Sequence, residues 1–538
     1  MRKFVILTDQ THTGTTINRF FKAPSGLRLA HQLRKKGIEV KTVFNFLSFS
    51  YEEFDEIMKS FTNSGKDEVV VGFSTSFLLP GLDNVNITEN ENGDMINTKF
   101  NMNLTENRKF LWGDALEKIL KFAFLARTKY KAITIIGGFF IKKLEHRNFY
   151  FLNKVIDYFI IGDGTEVIYN LCINKSNQIE EYKGVKLINA VPTTNFEDQS
   201  SAPIIEDYIN QGEVLSIELS NGCIFNCSFC SFGMLGKKKN EFMRTEESLY
   251  REIKHNFDNF GTRVYMVCDS IMNDNLEKLQ MLSRIRDKLG VDLRWFGYAR
   301  LDTINNIEHV QLLKDSGVGG LFFGIESMTK SVGPSIGKMT DGERIKDHLR
   351  LCRSVLKDTA IMQGGFISGL PTETLENIDE TGEFINSAEG VDLLDSISYS
   401  RLAFVGYLEK YIVDKNKILY IGSASLKEHE IVKSRLKHKD HFLDYKVQST
   451  HSWENSHGTS NQFSERASKI AFNNKRPIFL KEPIYAPFFM PSKVNVLDVP
   501  IEDFIIDGRK QKPIDVKEYI KKEQIKKNEY KSKVMNGL

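Results

Sequence analysis

At 538 residues the chain is longer than a single hydrophobic core usually organises, so two or three domains are expected. It is 41% apolar and 27% charged, the balance of an ordinary globular protein, and a net formal charge of +3 calls for neither a nucleic-acid surface nor an acidic partner. No stretch approaches the roughly eighteen apolar residues of a membrane span, and the region from Met1 to Lys41 lacks a signal peptide's apolar block, so a cytoplasmic location is expected. Six cysteines are too few for a disulfide scaffold in a chain this long, and in that reducing compartment clustered ones read as metal ligands or catalytic groups.

From Lys3 to Cys172, apolar runs suited to buried parallel strands alternate with amphipathic helical stretches. Strands are expected at Phe4–Leu7, Glu39–Phe44, Glu68–Phe73, Ala132–Ile136 and Tyr158–Ile161. Helices are expected after Ser25 as N-cap up to Gly37, after Ser50, and from Leu111 to Thr128. This rhythm predicts a doubly wound, Rossmann-like α/β domain over residues 1–175. A polar, Asn-rich segment between Leu78 and Arg108 interrupts it above the sheet's carboxyl edge, as a lid or as a plain surface loop. Residues 176–212, polar with two separated prolines, are expected to be a connector.

A second series occupies residues 213–405, with strands at Val214–Leu219, Arg263–Cys268, Asp292–Gly297, Gly319–Gly324, Ala360–Ile367 and Ser396–Phe404. Six βα units predict a partial, TIM-like barrel whose ligands collect at the carboxyl ends of its strands. From Tyr407 the alternation fades, and residues 406–538 are expected to form an α-rich substrate or cap region. Its Lys-rich stretch, Asp515–Lys533, reads as a solvated surface helix rather than a contact for an anionic partner. His438, His441, His451 and His457, near Trp453 and Glu454, show no ligand spacing such as His-x-x-x-His and read as solvated or substrate-facing.

The segment Ser220-Asn-Gly-Cys-Ile-Phe-Asn-Cys-Ser-Phe-Cys230 directly follows the first strand of the second series. Three soft thiolates on one short loop, Cys223, Cys227 and Cys230, select an iron–sulfur cluster or zinc. A structural zinc site is normally closed by a fourth protein ligand, whereas a four-iron cluster on three cysteines keeps one iron open. Phe225 and Phe229 interleave the ligands and would shield such a cluster from water. Cys172, Cys268 and Cys352 stand alone in predicted helices or strands and read as buried filler.

With Phe229 immediately before its last cysteine, this triad resembles the radical S-adenosylmethionine (SAM) superfamily, in the branch with an N-terminal cobalamin (B12)-binding domain, over roughly residues 1–400. The resemblance implies a [4Fe-4S] cluster on the three cysteines, SAM chelated at the open iron, its reductive cleavage to a 5′-deoxyadenosyl radical, and an electron donor such as flavodoxin or ferredoxin. It makes Asp269, in Val267-Cys-Asp-Ser-Ile-Met-Asn273, a polar contact of SAM, with a helix N-cap as the equal alternative. Arg300, after Trp295-Phe-Gly-Tyr-Ala, would neutralise the SAM carboxylate, against a plain surface ion pair. Gly324-Ile-Glu-Ser327 resembles a family signature placing Glu326 and Ser327 near the ribose or methionine end. In Gly364-Gly-Phe-Ile-Ser-Gly-Leu-Pro-Thr-Glu-Thr374, Gly365, Ile367 and Gly369 would let the adenine approach the backbone, while Pro371 and Glu373 start a helix.

The same resemblance assigns cobalamin to three loops of the first domain: Gly72, Ser74 and Thr75; Gly137 and Gly138; Gly162, Asp163 and Gly164. Alternatively these glycines are the tight turns any α/β sheet requires. The Asp-x-His-x-x-Gly motif is missing, since Asp9-Gln-Thr-His-Thr-Gly14 has the wrong spacing, and His12 reads as an ordinary loop histidine. The implied reaction is a cobalamin-dependent methyl transfer to an unactivated carbon. Its rivals are a degenerate first domain serving another radical rearrangement, and a non-catalytic iron–sulfur or zinc protein.

Overall fold

The computed structural model describes residues 1–9, 22–75, 87–89, 95–97, 113–138, 153–182, 184–190, 196–225, 227–230, 242–357, 359–402, 444–449, 452–472 and 516–537. Among the described residues the first part of the chain holds nine strands: β1 (Lys3–Thr8), β2 (Val40–Phe44), β3 (Val69–Ser74), β4 (Ile87–Glu89), β5 (Met95–Asn97), β6 (Ile133–Gly137), β7 (Tyr158–Ile161), β8 (Glu180–Tyr182) and β9 (Val185–Asn189). Seven make one sheet in the order β2-β1-β3-β6-β7-β9-β8, parallel throughout except for the edge strand β8. Alternate residues of each strand go to opposite faces. Val5, Leu7, Val71 and Phe73 pack under the helices Tyr51–Phe61 and Gly113–Tyr130, where Phe54 and Phe122 stack at 4.3 Å. Phe4, Ile6 and Val70 pack under the helices Pro24–Lys35 and Thr165–Cys172. Apolar side chains on both faces are what the unbroken Val/Ile/Phe runs encode.

Ser50 caps its helix through a capping box with Glu53, as expected. The first helix instead starts at Pro24 behind Ala23, because a proline's fixed φ suits the first turn, and Ser25 lies inside it. The segment expected as connector supplies β8 and β9, which enlarge the first sheet. Val185, Leu187 and Ile188 are buried there, a signal short enough to be masked by Lys186 and Asn189. Of the Asn-rich excursion, β4 and β5 pair as an antiparallel hairpin; its role as a lid and His12 lie outside the described residues.

The second sheet is β10 (Leu215–Ile217), β11 (Val264–Val267), β12 (Arg294–Ala299), β13 (Val318–Glu326), β14 (Ile361–Ser368) and β15 (Ser396–Arg401), parallel and in sequence order. This is the open six-stranded barrel expected. Five of its helices start behind side chains that accept an N–H of the first turn: Thr245, Asn275, Asn306, Asp341 and Thr374. Cys352 is fully buried in this core, as Cys172 is in the first, and Cys268 is half-buried.

After β15 come the antiparallel strands β16 (Lys446–Ser449), β17 (Ser452–Asn455) and β18 (Gly458–Thr459), the helix Ser460–Phe472 and the helix Val516–Asn536. The last is not the solvated helix expected. Tyr530 and Val534 are buried in the first domain's core; the Tyr530 hydroxyl accepts the Phe44 N–H at 2.9 Å, and Lys531 pairs with Glu53 at 2.7 Å. A helix this rich in lysine conceals its single anchoring stripe in sequence.

The helix Pro24–Lys35 also joins the two domains. Arg28 meets Glu218 at the end of β10 (2.7 Å), Arg34 grips buried Asp207 with both terminal nitrogens (2.8 and 2.9 Å), and buried Lys22 pairs with Glu213 (2.6 Å). Among the described residues no helix is long and apolar enough to cross a membrane.

Candidate metal centre

The cysteine loop leaves the carboxyl end of β10 and is closed at its base by backbone pairing. Ser220 bridges Met243, Asn221 N–H donates to Phe242 O (2.9 Å), and Arg244 N–H donates to Leu219 O (2.9 Å). A second clamp comes from the segment after β13, where Ser228 donates its N–H to Ile336 O (3.1 Å) and its hydroxyl to Ser335 O (3.0 Å). Cys223, Cys227 and Cys230 are all half-buried, and burial raises the Cys223 thiol above its ordinary pKa. Among the described residues no three His, Cys, Asp or Glu side chains are drawn together around one point, the three cysteines included.

Arg300 comes directly to this loop. Its Nη1 donates to Cys227 Sγ at 3.1 Å, its guanidinium lies 4.1 Å from the Phe225 ring centroid, and Asp302 holds it from behind at 2.5 and 2.7 Å. It is therefore neither a surface pair nor a free receptor for a carboxylate. Asp269 likewise faces the protein. Its Oδ1 accepts the Leu219 N–H (2.7 Å), and its Oδ2 accepts from the Ser220 hydroxyl (2.6 Å) and Lys278 Nζ (3.1 Å). Nor does it cap a helix, since Asn275 does that.

Glu326 ends β13 with φ at +71°, a strained value for a residue with a side chain. Its carboxylate folds back over Gly324 to meet Lys338 Nζ at 2.8 Å. A Cβ at Gly324 would stand 2.5 Å from Glu326 Oε1 and 2.9 Å from that nitrogen, so only glycine leaves room for the pair. Lys338 carries no motif signal and was missed in the sequence, yet it shares the site with Arg300, which donates to Gly337 O. Ser327 is fully buried and its hydroxyl accepts the Thr329 N–H.

Phe229 and Ile367 meet in one apolar cluster with Leu402, Tyr445, Trp453 and Phe463. That cluster also explains Gly369. Its φ is +80°, a Cβ would lie 2.1 Å from the Trp453 ring, and its carbonyl accepts the Tyr445 hydroxyl at 2.7 Å. Gly365 yields its space to Phe322, 2.3 Å from a Cβ there. The space a Cβ would take at both glycines is filled by the chain's own rings. Trp453 is buried with its Nε1 donating to Leu402 O (2.9 Å), Glu454 pairs with Lys446, and His457 is exposed. His438, His441 and His451 lie outside the described residues.

At the first sheet's carboxyl edge the expected loops are adjacent. Thr75 donates its hydroxyl (2.9 Å) and its N–H (2.7 Å) to Gly137 O, tying two of them together. Asp163 accepts the Thr165 N–H and hydroxyl, opening the helix behind Gly164. Ser74 is half-buried at the end of β3, and Gly138 and Gly162 hold φ of +109° and +98°. Gly72, inside β3, makes room for Phe4, 3.0 Å from a Cβ there, and so serves packing. The same edge holds buried polar atoms without partners among the described residues: Thr8 Oγ1, Ser25 Oγ, Asn45 Nδ2, and both side-chain atoms of Asn189. Such orphans are costly unless water or a ligand satisfies them, and a corrin ring's amide arms have the matching chemistry. The sequence signal was a polar residue closing an apolar strand at Thr8 and Asn189. Arg28 lies between the two carboxyl edges, paired with Glu218 and within the field of Asp163.

Residues 217–385 match the model of the radical SAM superfamily. An uncharacterised methyltransferase of Pyrococcus horikoshii is 24% identical over 247 residues, 43% of this chain and 52% of its own length. A hopanoid C-2 methylase of Rhodopseudomonas palustris is 27% identical over 176 residues, 32% of each. The chain thus spans about half the length, or less, of these curated relatives. In fold, it is similar to the radical SAM methyltransferase TsrM from Kitasatospora setae, solved with cobalamin and a [4Fe-4S] cluster bound, at a TM-score of 0.55 and 17% identity over 77% of this chain and 78% of that one. It is also similar to the cobalamin-dependent SAM radical enzyme OxsB, at a TM-score of 0.54 and 16% identity over 82% of this chain and 62% of that one.

Proposed function

The barrel belongs to the radical SAM superfamily, and on that premise we propose that the protein is a cobalamin-dependent radical SAM methyltransferase acting on an unactivated carbon. A [4Fe-4S] cluster with SAM supplies a 5′-deoxyadenosyl radical, and cobalamin supplies a methyl carrier. Cys223, Cys227 and Cys230 would hold the cluster, and a donor set of three thiolates fits a centre left open on one side. Glu326 and Lys338 offer opposite charges to the ammonium and carboxylate of an amino acid, the polar end of SAM. Phe229 and Ile367 supply an apolar wall that keeps water from the site. Thr8, Ser25, Asn45 and Asn189, with the loops at Ser74, Gly138 and Asp163, would hold cobalamin.

The observation that supports this reading is that Arg28, paired with Glu218 at the end of β10 and within the field of Asp163, lies between the two carboxyl edges, the first of which holds the orphaned polar groups. The rival, a first domain without cobalamin, draws on Gly72 and Thr75, whose features are absorbed by packing and by the Gly137 carbonyl. Anaerobic purification with cobalamin supplied separates them: retention in a 1:1 ratio supports the proposal, and none retained removes the methyltransferase reading. Reconstituted, reduced protein should form 5′-deoxyadenosine from SAM. Cys223→Ala, Cys227→Ala and Cys230→Ala should each abolish this and lose iron while remaining folded.

A further inference from the structure

The segment from Asp269 to Asn273 lies between the cysteine loop and Arg300, and two of its polar side chains, Asp269 and Asn273, reach those two neighbours. On one side Asp269, fully buried, holds the Leu219 N–H and the Ser220 hydroxyl, three residues short of Cys223. Its charge is balanced by Lys278, which is itself buried and also bonded to Asp274 (2.5 Å) and to Ile271 O (2.5 Å). On the other side Asn273, 3% exposed, closes a ring with the Arg300 backbone. Its Oδ1 accepts the Arg300 N–H (2.9 Å) and its Nδ2 donates to the Arg300 carbonyl (2.8 Å). Met272 N–H reaches Tyr298 O (2.7 Å), and Thr303 Oγ1 joins the ring from Asn273 Nδ2 (2.7 Å) to Arg300 O (2.9 Å). One short rigid segment therefore fixes the base of the cysteine loop and the root of Arg300 in a common frame.

We infer that Asp269 and Asn273 are positioning residues of the iron–sulfur centre: they hold the Arg300 guanidinium against the Cys227 sulfur, and that N–H···S bond sets the reduction potential. The inference rests on the cluster reading above. A cationic donor on a ligand sulfur stabilises the reduced state, which carries one more negative charge, and so raises the potential; a donor that drifts away lowers it. Asn273 touches no ligand sulfur, so its whole effect passes through Arg300.

The test is a reductive titration of anaerobically reconstituted full-length protein, followed by electron paramagnetic resonance, with iron content and far-UV circular dichroism as controls. Arg300→Met should retain iron and shift the midpoint to a more negative value, with Arg300→Lys between it and wild type. Asn273→Ala should shift it the same way by less, and Arg300→Met with Asn273→Ala should equal Arg300→Met alone. Thr303→Val, isosteric and milder, should give a smaller shift of the same sign and serves where Asn273→Ala does not fold. The inference is overturned by an unchanged midpoint in Arg300→Met, or by an Asn273→Ala effect that adds to it. A wild type that takes up no iron overturns this and the cluster reading together, whereas a cluster that responds as described but leaves SAM intact overturns the proposed function alone.

Discussion

Glu373→Gln should change how stability depends on pH, and the size follows from the burial of one carboxyl group. Glu373 is 0% exposed, and its Oε2 accepts the N–H groups of Gly369 (2.7 Å) and Leu370 (3.3 Å). Burial raises its pKa from 4.5 to about 8. The folded acid thus keeps its proton up to about pH 8, whereas the unfolded one releases it near 4.5. Its contribution is fully present below pH 4.5 and is lost as pH rises toward 8. Each pH unit within that window is worth about 1.4 kcal/mol, so raising the pH from 6 to 8 should cost the wild type on the order of 2–3 kcal/mol through this group. Glutamine presents the same acceptor to both N–H groups and does not titrate. Urea denaturation of both proteins at pH 6 and pH 8 isolates the effect, because every other titrating group is shared. Equal losses in wild type and Glu373→Gln would refute the reasoning.

Gly369→Ala forces a side chain at φ +80° and into the Trp453 ring; a loss of about 2–5 kcal/mol is expected from strain and overpacking, read as a lower denaturation midpoint. Tyr530→Phe removes the acceptor of the buried Phe44 N–H and should cost about 1–3 kcal/mol, with faster hydrogen exchange at that amide. Lys278→Met leaves Asp269 and Asp274 buried without their cation; a loss of about 3–5 kcal/mol is expected by the same denaturation assay, and an unchanged midpoint would contradict the buried pairing.

Both parallel sheets could be read from the sequence because their strands are buried on two faces, which writes each as an unbroken apolar run between helical periods. The cysteine loop stands out in the sequence by its spacing and by following an apolar strand directly. What stayed hidden depends on pairs far apart in the chain. Arg28 meets Glu218 across 190 positions, and neither residue signals the other locally. Gly369 stands against Trp453, which nothing near the glycine in sequence announces. Asp269 and Arg300 were picked out by motif, but their partners, Lys278, Asn273 and Cys227, decide what they do. Lys338 was missed because a single lysine after a loop carries no periodicity.

The return of Tyr530 to Phe44 has a consequence for biosynthesis. The two residues are separated by 486 positions, so at about 5–20 residues per second the ribosome adds the tyrosine roughly half a minute to a minute and a half after the phenylalanine. Throughout that interval the earliest-made sheet waits with an uncovered apolar patch and an unanswered amide. Nascent chains stalled before Tyr530 should therefore be protease-sensitive around Phe44 even when the second sheet has already formed, and chaperone occupancy should persist there until the helix Val516–Asn536 arrives.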